Sequence, residues 1–113
     1  RLNCVHCSEV VTVDPRALND ALIDAQRAGG RTLRAGRGCG KCRGTGFKGR
    51  RAVGELLLLD DGLRELIVAR APARQIKEAA RRNGTRLLRE AAVELFLEGQ
   101  TTIEEINRVT LAA

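Results

Sequence analysis

A chain of 113 residues with 43% hydrophobic content is long enough for one domain, or for one domain with a small appendage. Because Phe47 and Phe96 are its only aromatic residues, the core has to be aliphatic, and a domain of this kind gains stability from a bound metal. The net charge of +6 suits partners that carry phosphates, acidic protein surface or anionic lipid heads, and the longest apolar runs are far too short to span a membrane.

The first third of the chain predicts one helix. Asp14 and Pro15 predict its start, because Asp is a good N-cap and Pro suits the first helical position. Gly29 and Gly30 predict its end. The apolar residues between these signals have helical spacing: Ala17, Leu18, Ala21, Leu22 and Ala25. Residues 10–13 are expected to be extended.

The second half predicts a short strand followed by helices. Residues 51–59 are aliphatic and partly β-branched, which favours a strand over their first half. Cap and stop signals then predict helices over residues 61–70, 72–83 and 87–98.

A final helix is predicted from the end of the sequence. Thr101 and Glu104 have the spacing of a capping box, in which the Thr101 hydroxyl accepts a hydrogen bond from the Glu104 amide and the Glu104 carboxylate returns one. The helix that follows places Ile103, Ile106 and Val109 on one side.

These elements predict a mostly α fold with little β structure. Two close pairs of cysteines, Cys4 with Cys7 and Cys39 with Cys42, add to it a small Cys4 zinc-binding excursion. Two parts are expected. Residues 1–50 form a tetracysteine zinc-binding module with an inserted helix, and residues 51–113 form a C-terminal helical bundle.

All the cysteines occur in two Cys-x-x-Cys pairs: Cys4, Cys7, Cys39 and Cys42. A two-residue spacer lets both sulfurs of a pair turn to one point, and two such pairs are typical of a tetrahedral zinc site. Because four thiolates leave no open coordination position, the predicted site is structural rather than catalytic. Iron in the same site, and a redox-active Cys-x-x-Cys pair, stay open as alternatives. The single histidine, His6, is interpreted as a spacer.

Residues 31–51 contain eight basic side chains and no acidic one. Six of them form the candidate interaction surface, called the basic surface below: Arg37, Lys41, Arg43, Lys48, Arg50 and Arg51. The alternative is that these charges only solubilise the loop around a dianionic metal site. A nucleic-acid-binding zinc module is a second class of function, but Phe47 is the only aromatic residue in this stretch, which disfavours stacking on a single strand.

The stretch from Gly38 to Lys41 contains glycines and a lysine but does not match a phosphate-binding loop. A Walker A motif needs Gly-x4-Gly-Lys followed by Ser or Thr. Ala35 stands where the first Gly is required and Cys42 where the hydroxyl residue is required. The chain itself is therefore not expected to be an enzyme.

Two runs of the sequence resemble the secretion and pilus assembly ATPases. The first is CGKCRGTGFKGR followed by AVGELL, in which Arg50 and Glu55 match the family's Gly-Arg-x-x-Ile-x-Glu. The second is GQTTIEEINRVT at residues 99–110, which is similar to the family's closing motif. With Arg1 and Leu2 before the first cysteine pair, the resemblance covers essentially the whole chain in order.

The resemblance implies the C-terminal region of a type II secretion or type IV pilus assembly ATPase, which is a hexameric cytoplasmic motor. The chain would then be an incomplete piece of a larger α/β motor domain, as the absence of methionine also suggests. Zinc would be structural, and ATP and magnesium would bind upstream of Arg1. The implied partners are neighbouring ATPase subunits and inner-membrane platform proteins, with no small-molecule substrate and no nucleic acid. The resemblance does not distinguish a secretion ATPase from a pilus assembly ATPase.

Overall fold

A computed structural model describes residues 1–110, which form a mostly helical fold with a two-stranded sheet. The predicted fold class is confirmed. The elements in chain order are β1 Ser8–Val10, α1 Pro15–Asp20, α2 Ala25–Ala28, β2 Arg34–Gly36, α3 Asp61–Val68, α4 Ala73–Arg82, α5 Leu88–Leu97 and α6 Ile103–Val109. None of the helices in this described part is long and apolar enough to cross a membrane.

The sheet returns the chain to its starting point. Strands β1 and β2 are antiparallel, with Ser8 opposite Gly36 and Val10 opposite Arg34. One residue further on, the Arg37 amide donates to the Cys7 carbonyl at 3.1 Å. The pairing thus closes the excursion that contains α1 and α2, and it places the second cysteine pair beside the first.

The prediction of one helix after Asp14 is wrong, because two short helices replace it. The chain turns at Leu22, which has φ of 60° and a side chain that is 74% exposed. This turn places Ile23 in the core, and its amide donates to the Leu18 carbonyl. Asp24 then caps the second helix through the Gln26 amide. The apolar spacing therefore reflects burial on one side of a broken segment rather than one continuous helix.

The predicted strand within residues 51–59 is also wrong. A strand needs a neighbouring strand for its backbone hydrogen bonds, and none lies beside this segment within residues 1–110. Its contacts are made instead to helical termini, since the Leu56 carbonyl accepts from the Thr85 hydroxyl. Leu56 and Leu58 are each 73% exposed.

The four helices of the second half lie close to their predicted positions. Helix α3 begins where the Asp60 carboxylate accepts from the Leu63 amide at 2.7 Å. Helix α4 follows Pro72 and ends at Asn83, and α5 ends before Gly99, which has φ of 77°. The capping and stop residues therefore predict these boundaries correctly.

The predicted capping box between Thr101 and Glu104 is wrong, and the N-cap of the last helix lies one residue later. Thr102, not Thr101, is the N-cap of α6, and its hydroxyl accepts from the Glu105 amide at 3.2 Å. The buried Thr101 hydroxyl donates to the Arg1 carbonyl instead. Of the three residues predicted to share one side of this helix, Ile103 and Ile106 are buried, whereas Val109 is 46% exposed.

The main hydrophobic core joins the inserted helices to the closing helices. It is aliphatic apart from Phe96, as the composition predicts, and contains Leu18, Ala21, Ile23, Ala28, Leu33, Ala92, Val93, Phe96, Leu97, Ile103 and Ile106. The division at residue 50 stays a prediction, and the core draws residues from both sides of it.

The described part of the chain is elongated. It extends 53 × 27 × 18 Å, and its radius of gyration is 16.8 Å, whereas about 13 Å is expected of a compact domain of this length. Helices α3 and α4 pack on each other. Apolar side chains are exposed on α3 and just before it: those of Ile67 and Val68, and the run of residues 56–59.

Candidate metal centre

The four cysteines meet at one point. Their Sγ atoms all lie within 4.8 Å of one another, and three of the sulfur–sulfur distances are 3.8 Å: Cys4 to Cys39, Cys7 to Cys42, and Cys39 to Cys42. Four sulfurs held about 2.3 Å from a tetrahedral zinc ion are about 3.8 Å apart, whereas disulfide sulfurs are about 2 Å apart. All four thiols are free. The donor set and its spacing therefore fit zinc.

Backbone hydrogen bonds hold each pair in a tight turn and hold the two turns together. The Cys7 amide donates to the Cys4 carbonyl at 3.3 Å, and the Gly44 amide donates to the Cys39 carbonyl at 2.8 Å. The Cys4 amide donates to the Gly46 carbonyl at 2.9 Å, which joins the first turn to the second. The sulfur positions are thus fixed by the backbone as well as by any bound ion.

Gly36 and Gly46 allow the sheet to approach the second pair. A Cβ added at Gly36 would lie 2.0 Å from the Gly46 carbonyl oxygen, and one added at Gly46 would lie 2.4 Å from the Gly36 oxygen. Gly46 also has φ of 80°. Because the two backbones are in direct contact, no other residue fits at either position.

Amide groups are distributed unevenly over the sulfurs. Cys42 Sγ accepts from the Cys39 and Gly46 amides, each at 3.2 Å, and Cys7 Sγ accepts from the Gly38 amide at 3.3 Å. Burial raises the pKa of Cys42, but the two amide donors together with hydrogen bonds from the Cys39 and Cys7 side chains outweigh burial and lower the pKa to about 6. Burial raises the pKa of Cys7 to about 11, against its single amide donor. Cys42 is therefore more readily ionised than Cys7. A bound cation favours the thiolate form of both.

Asn3 connects the metal centre to the helical body. Its side-chain amide donates to the carbonyls of Arg34 at 2.9 Å and Gly99 at 3.1 Å, and its backbone amide donates to the Gln100 carbonyl at 2.7 Å. These bonds tie the residue before Cys4 to both β2 and the end of α5. The sequence gives no spacing or motif that identifies Asn3, because all of its partners are backbone groups distant in the chain.

Glu105 makes a second connection that the sequence analysis missed. Only 3% exposed, its carboxylate accepts from the guanidinium groups of Arg108 and Arg1. These two hydrogen-bonded cations outweigh burial and hold the pKa of Glu105 well below its usual range. The spacing of three residues between Glu105 and Arg108 is the one signal of this ion pair that the sequence offers.

The side chains of the basic surface are all exposed. None of the six forms a salt bridge with another residue in the range 1–110, and Arg51 donates to the Gln100 side chain at 3.0 Å. Arg31 and Arg34, which the same stretch contains, instead contact Glu94 and Ser8. The role of the basic surface as a contact stays a prediction. His6 is exposed and is not one of the clustered ligand groups.

The fold and the site together define a mostly helical domain that carries a cluster of four thiols able to hold a metal ion. Residues 1–108 match the model of the family described as Type II/IV secretion system protein. The chain belongs to that family, and the predicted resemblance is confirmed.

Its relatives include both branches of this family. The chain is 45% identical over 108 residues to the Type IV pilus assembly ATPase PilB of Thermus thermophilus, covering 96% of the chain and 12% of that protein. It is 34% identical over 106 residues to the Type IV pilus assembly ATPase TfpB of Acinetobacter baylyi, covering 94% and 18%. It is 36% identical over 110 residues to the Type II secretion system protein E of Pseudomonas aeruginosa, covering 97% and 21%. The chain thus spans between 12% and 21% of the length of these curated relatives.

Proposed function

We propose that the chain is the C-terminal, structural zinc-binding part of a hexameric ATPase that powers type II protein secretion or type IV pilus assembly. The observation that carries this proposal is a four-sulfur cluster of zinc spacing in a chain that matches the family over residues 1–108. The chain contributes no catalysis of its own. ATP and magnesium bind to the rest of the longer protein, in the cytoplasm.

Zinc supplies a structural cross-link when bound, because four thiolates leave no coordination position for a substrate. The residues around the site pass this constraint to the helices. Asn3 and Arg1, which precede Cys4, contact the backbone just after α5 and the first turn of α6. Fixing Cys4 against Cys39 therefore holds the start of the chain against its closing helices.

Two surfaces support contacts with the rest of a motor assembly. The exposed leucines of residues 56–59, in an elongated chain, suit packing against the remainder of the longer protein or a neighbouring subunit. The basic surface suits an acidic partner, and we assign it to the inner-membrane platform proteins, which hold the motor at that membrane.

Metal analysis of the purified protein tests the zinc site. We expect one tightly held zinc ion per chain, whose removal by a chelator lowers the unfolding temperature. Cys4→Ser should abolish zinc retention, whereas His6→Ala, which changes an exposed residue of the same turn, should leave it intact. A metal-free protein that cycles a disulfide would support the thiol redox alternative, and bound iron would correct the choice of metal.

A binding experiment with the full-length motor tests the basic surface. We expect Lys41→Ala with Arg43→Ala to weaken binding to platform proteins. Arg74→Ala with Lys77→Ala is the charge-matched control, because these residues lie exposed on α4. Equal loss in both double variants would show a nonspecific charge effect. Tight, salt-sensitive binding of DNA or RNA through Lys41 and Arg43 would favour the nucleic-acid alternative.

A further inference from the structure

The four sulfurs of the cluster differ in their exposure. Cys4, Cys7 and Cys42 are buried, with Cys4 completely inaccessible, whereas Cys39 is partly exposed. An electrophile in solution has to reach the sulfur it attacks. Cys39 is therefore the residue of the cluster that is most accessible to solvent.

The sulfurs also differ in their hydrogen bonds. Within residues 1–110, backbone amides donate to Cys42 and Cys7, and none donates to Cys4 or Cys39. An N–H···S bond withdraws charge from a metal-bound thiolate and makes it less nucleophilic. Cys39 is thus the only cysteine of the four that combines partial exposure of the residue with the absence of such a donor.

The chain around Cys39 leaves the approach open and attracts anions. A Cβ added at the exposed Gly40 would meet no atom within 4 Å, so no neighbouring group lies over the backbone beside the thiol. Arg37 and Lys41, two positions away on either side, are exposed cations. Anionic reagents are therefore drawn to this side of the cluster.

We propose that Cys39 is the modification site of the metal centre, at which soft electrophiles and peroxides first attack and from which the metal is lost. The inference rests on the proposed zinc site. With hydrogen peroxide, the Cys39 thiolate attacks one peroxide oxygen and the O–O bond breaks. This step forms a sulfenic acid and releases hydroxide. A second thiolate, from Cys4 or Cys42 at 3.8 Å, then attacks the Cys39 sulfur and displaces a second hydroxide.

The overall reaction oxidises two thiolates by two electrons and reduces one peroxide to two hydroxide ions. Because the resulting disulfide occupies two of the four ligands, zinc retains only two protein ligands and dissociates. A thiol reductant such as glutathione restores the ligands by thiol–disulfide exchange. The site would therefore respond reversibly to peroxide.

Alkylation of the zinc-loaded protein with limiting N-ethylmaleimide tests the order of attack. Zinc content is measured first, so that a protein without zinc contradicts the proposed function and is not used for this test. Peptide mass spectrometry at low total labelling should then find about tenfold more adduct on Cys39 than on any other cysteine of the cluster. Adduct that is equal on the four, or greatest on Cys4, Cys7 or Cys42, overturns the inference.

Two matched variants test the coupling to metal loss. Histidine can replace one cysteine in a tetrahedral zinc site. Cys39→His should slow peroxide-driven zinc release, followed with a zinc-binding dye, by about tenfold, whereas Cys7→His should leave the rate close to that of the wild type. Equal rates in the two variants contradict the proposal, and if either variant fails to bind zinc the alkylation map of the wild type still decides it.

Discussion

Arg1 and Glu105 lie 104 positions apart, and the Arg1 guanidinium contacts the Glu105 carboxylate with Nη2 2.9 Å from Oε2. The Arg1 Nε also donates to both carboxylate oxygens at 3.2 Å. Arg108 approaches the same carboxylate from one turn along α6. Since a buried carboxylate is costly without such partners, this contact fixes the last helix against the residues that precede the metal centre.

The depressed pKa of Glu105 predicts a specific dependence of stability on pH. The carboxylate binds a proton more weakly in the folded protein than in the unfolded chain, so its contribution is complete above its ordinary pKa and decreases as the pH falls. We expect Glu105→Gln to lower the free energy of unfolding by about 2 kcal/mol at neutral pH. The difference from wild type should shrink between about pH 5 and about pH 3 in urea denaturation experiments.

Glu104→Gln provides the control for this experiment. Glu104 is the exposed neighbour of Glu105, and acid also protonates the thiolates in every variant. Only the difference between the Glu105 and Glu104 variants therefore reports on the buried ion pair. A difference that stays constant from neutral to acidic pH would show that Glu105 does not titrate as the structure indicates.

Gly36→Ala should disrupt the metal centre without touching a cysteine. The added methyl would lie 2.0 Å from the Gly46 carbonyl oxygen, so β2 and the second cysteine pair have to separate. We expect the free energy of unfolding to fall by about 3 kcal/mol, measured by thermal unfolding. Zinc should also be retained more weakly, measured by chelator competition. Gly40→Ala, whose methyl meets nothing within 4 Å, should match the wild type. Equal zinc retention in both variants would contradict the close approach of the two backbones.

The sequence predicted those features that short-range patterns determine. Asp60 and Gly99 mark helix boundaries because capping and positive φ depend on residues next to them in the chain. The cysteine pairs predicted a four-sulfur cluster because a two-residue spacer leaves little freedom within each pair.

The errors arose where distant residues decide the local structure. Leu22 turns outward because Ile23 fills the core formed with α5 and α6, so the helix breaks at a position whose own spacing favours continuation. The predicted strand has no neighbouring strand in the described part of the chain. Thr101 hydrogen-bonds Arg1, which lies 100 positions away, and this leaves Thr102 to cap α6. No window of adjacent residues contains these partners.

Phe96 is the test of the shared core. Its ring is 1% exposed among residues of α1, α2 and α6. Phe96→Ala should therefore lower the free energy of unfolding by about 3 to 5 kcal/mol in urea denaturation. Val68→Ala, at a side chain that is 83% exposed, should change it by less than about 0.5 kcal/mol. Similar losses in both variants would mean that Val68 is covered by another part of the protein.

Glu55, which matches the glutamate of the family's Gly-Arg-x-x-Ile-x-Glu run, caps a distant helix in this structure. Its carboxylate accepts from the Leu88 amide at 2.7 Å, at the start of α5, where the N-cap residue Leu87 has no side-chain acceptor.

We expect Glu55→Ala to lower the unfolding free energy by about 1 kcal/mol and to speed hydrogen exchange in the first turn of α5. Glu55→Gln should lower the unfolding free energy by less than Glu55→Ala does, because the Gln amide oxygen still accepts the hydrogen bond. Only the charge at the helix N-terminus is removed. Glu65→Ala, on the exposed side of α3, is the matched control. If the exchange rate of the Leu88 amide is the same in Glu55→Ala as in Glu65→Ala, Glu55 does not cap α5, and its place in the run needs another explanation.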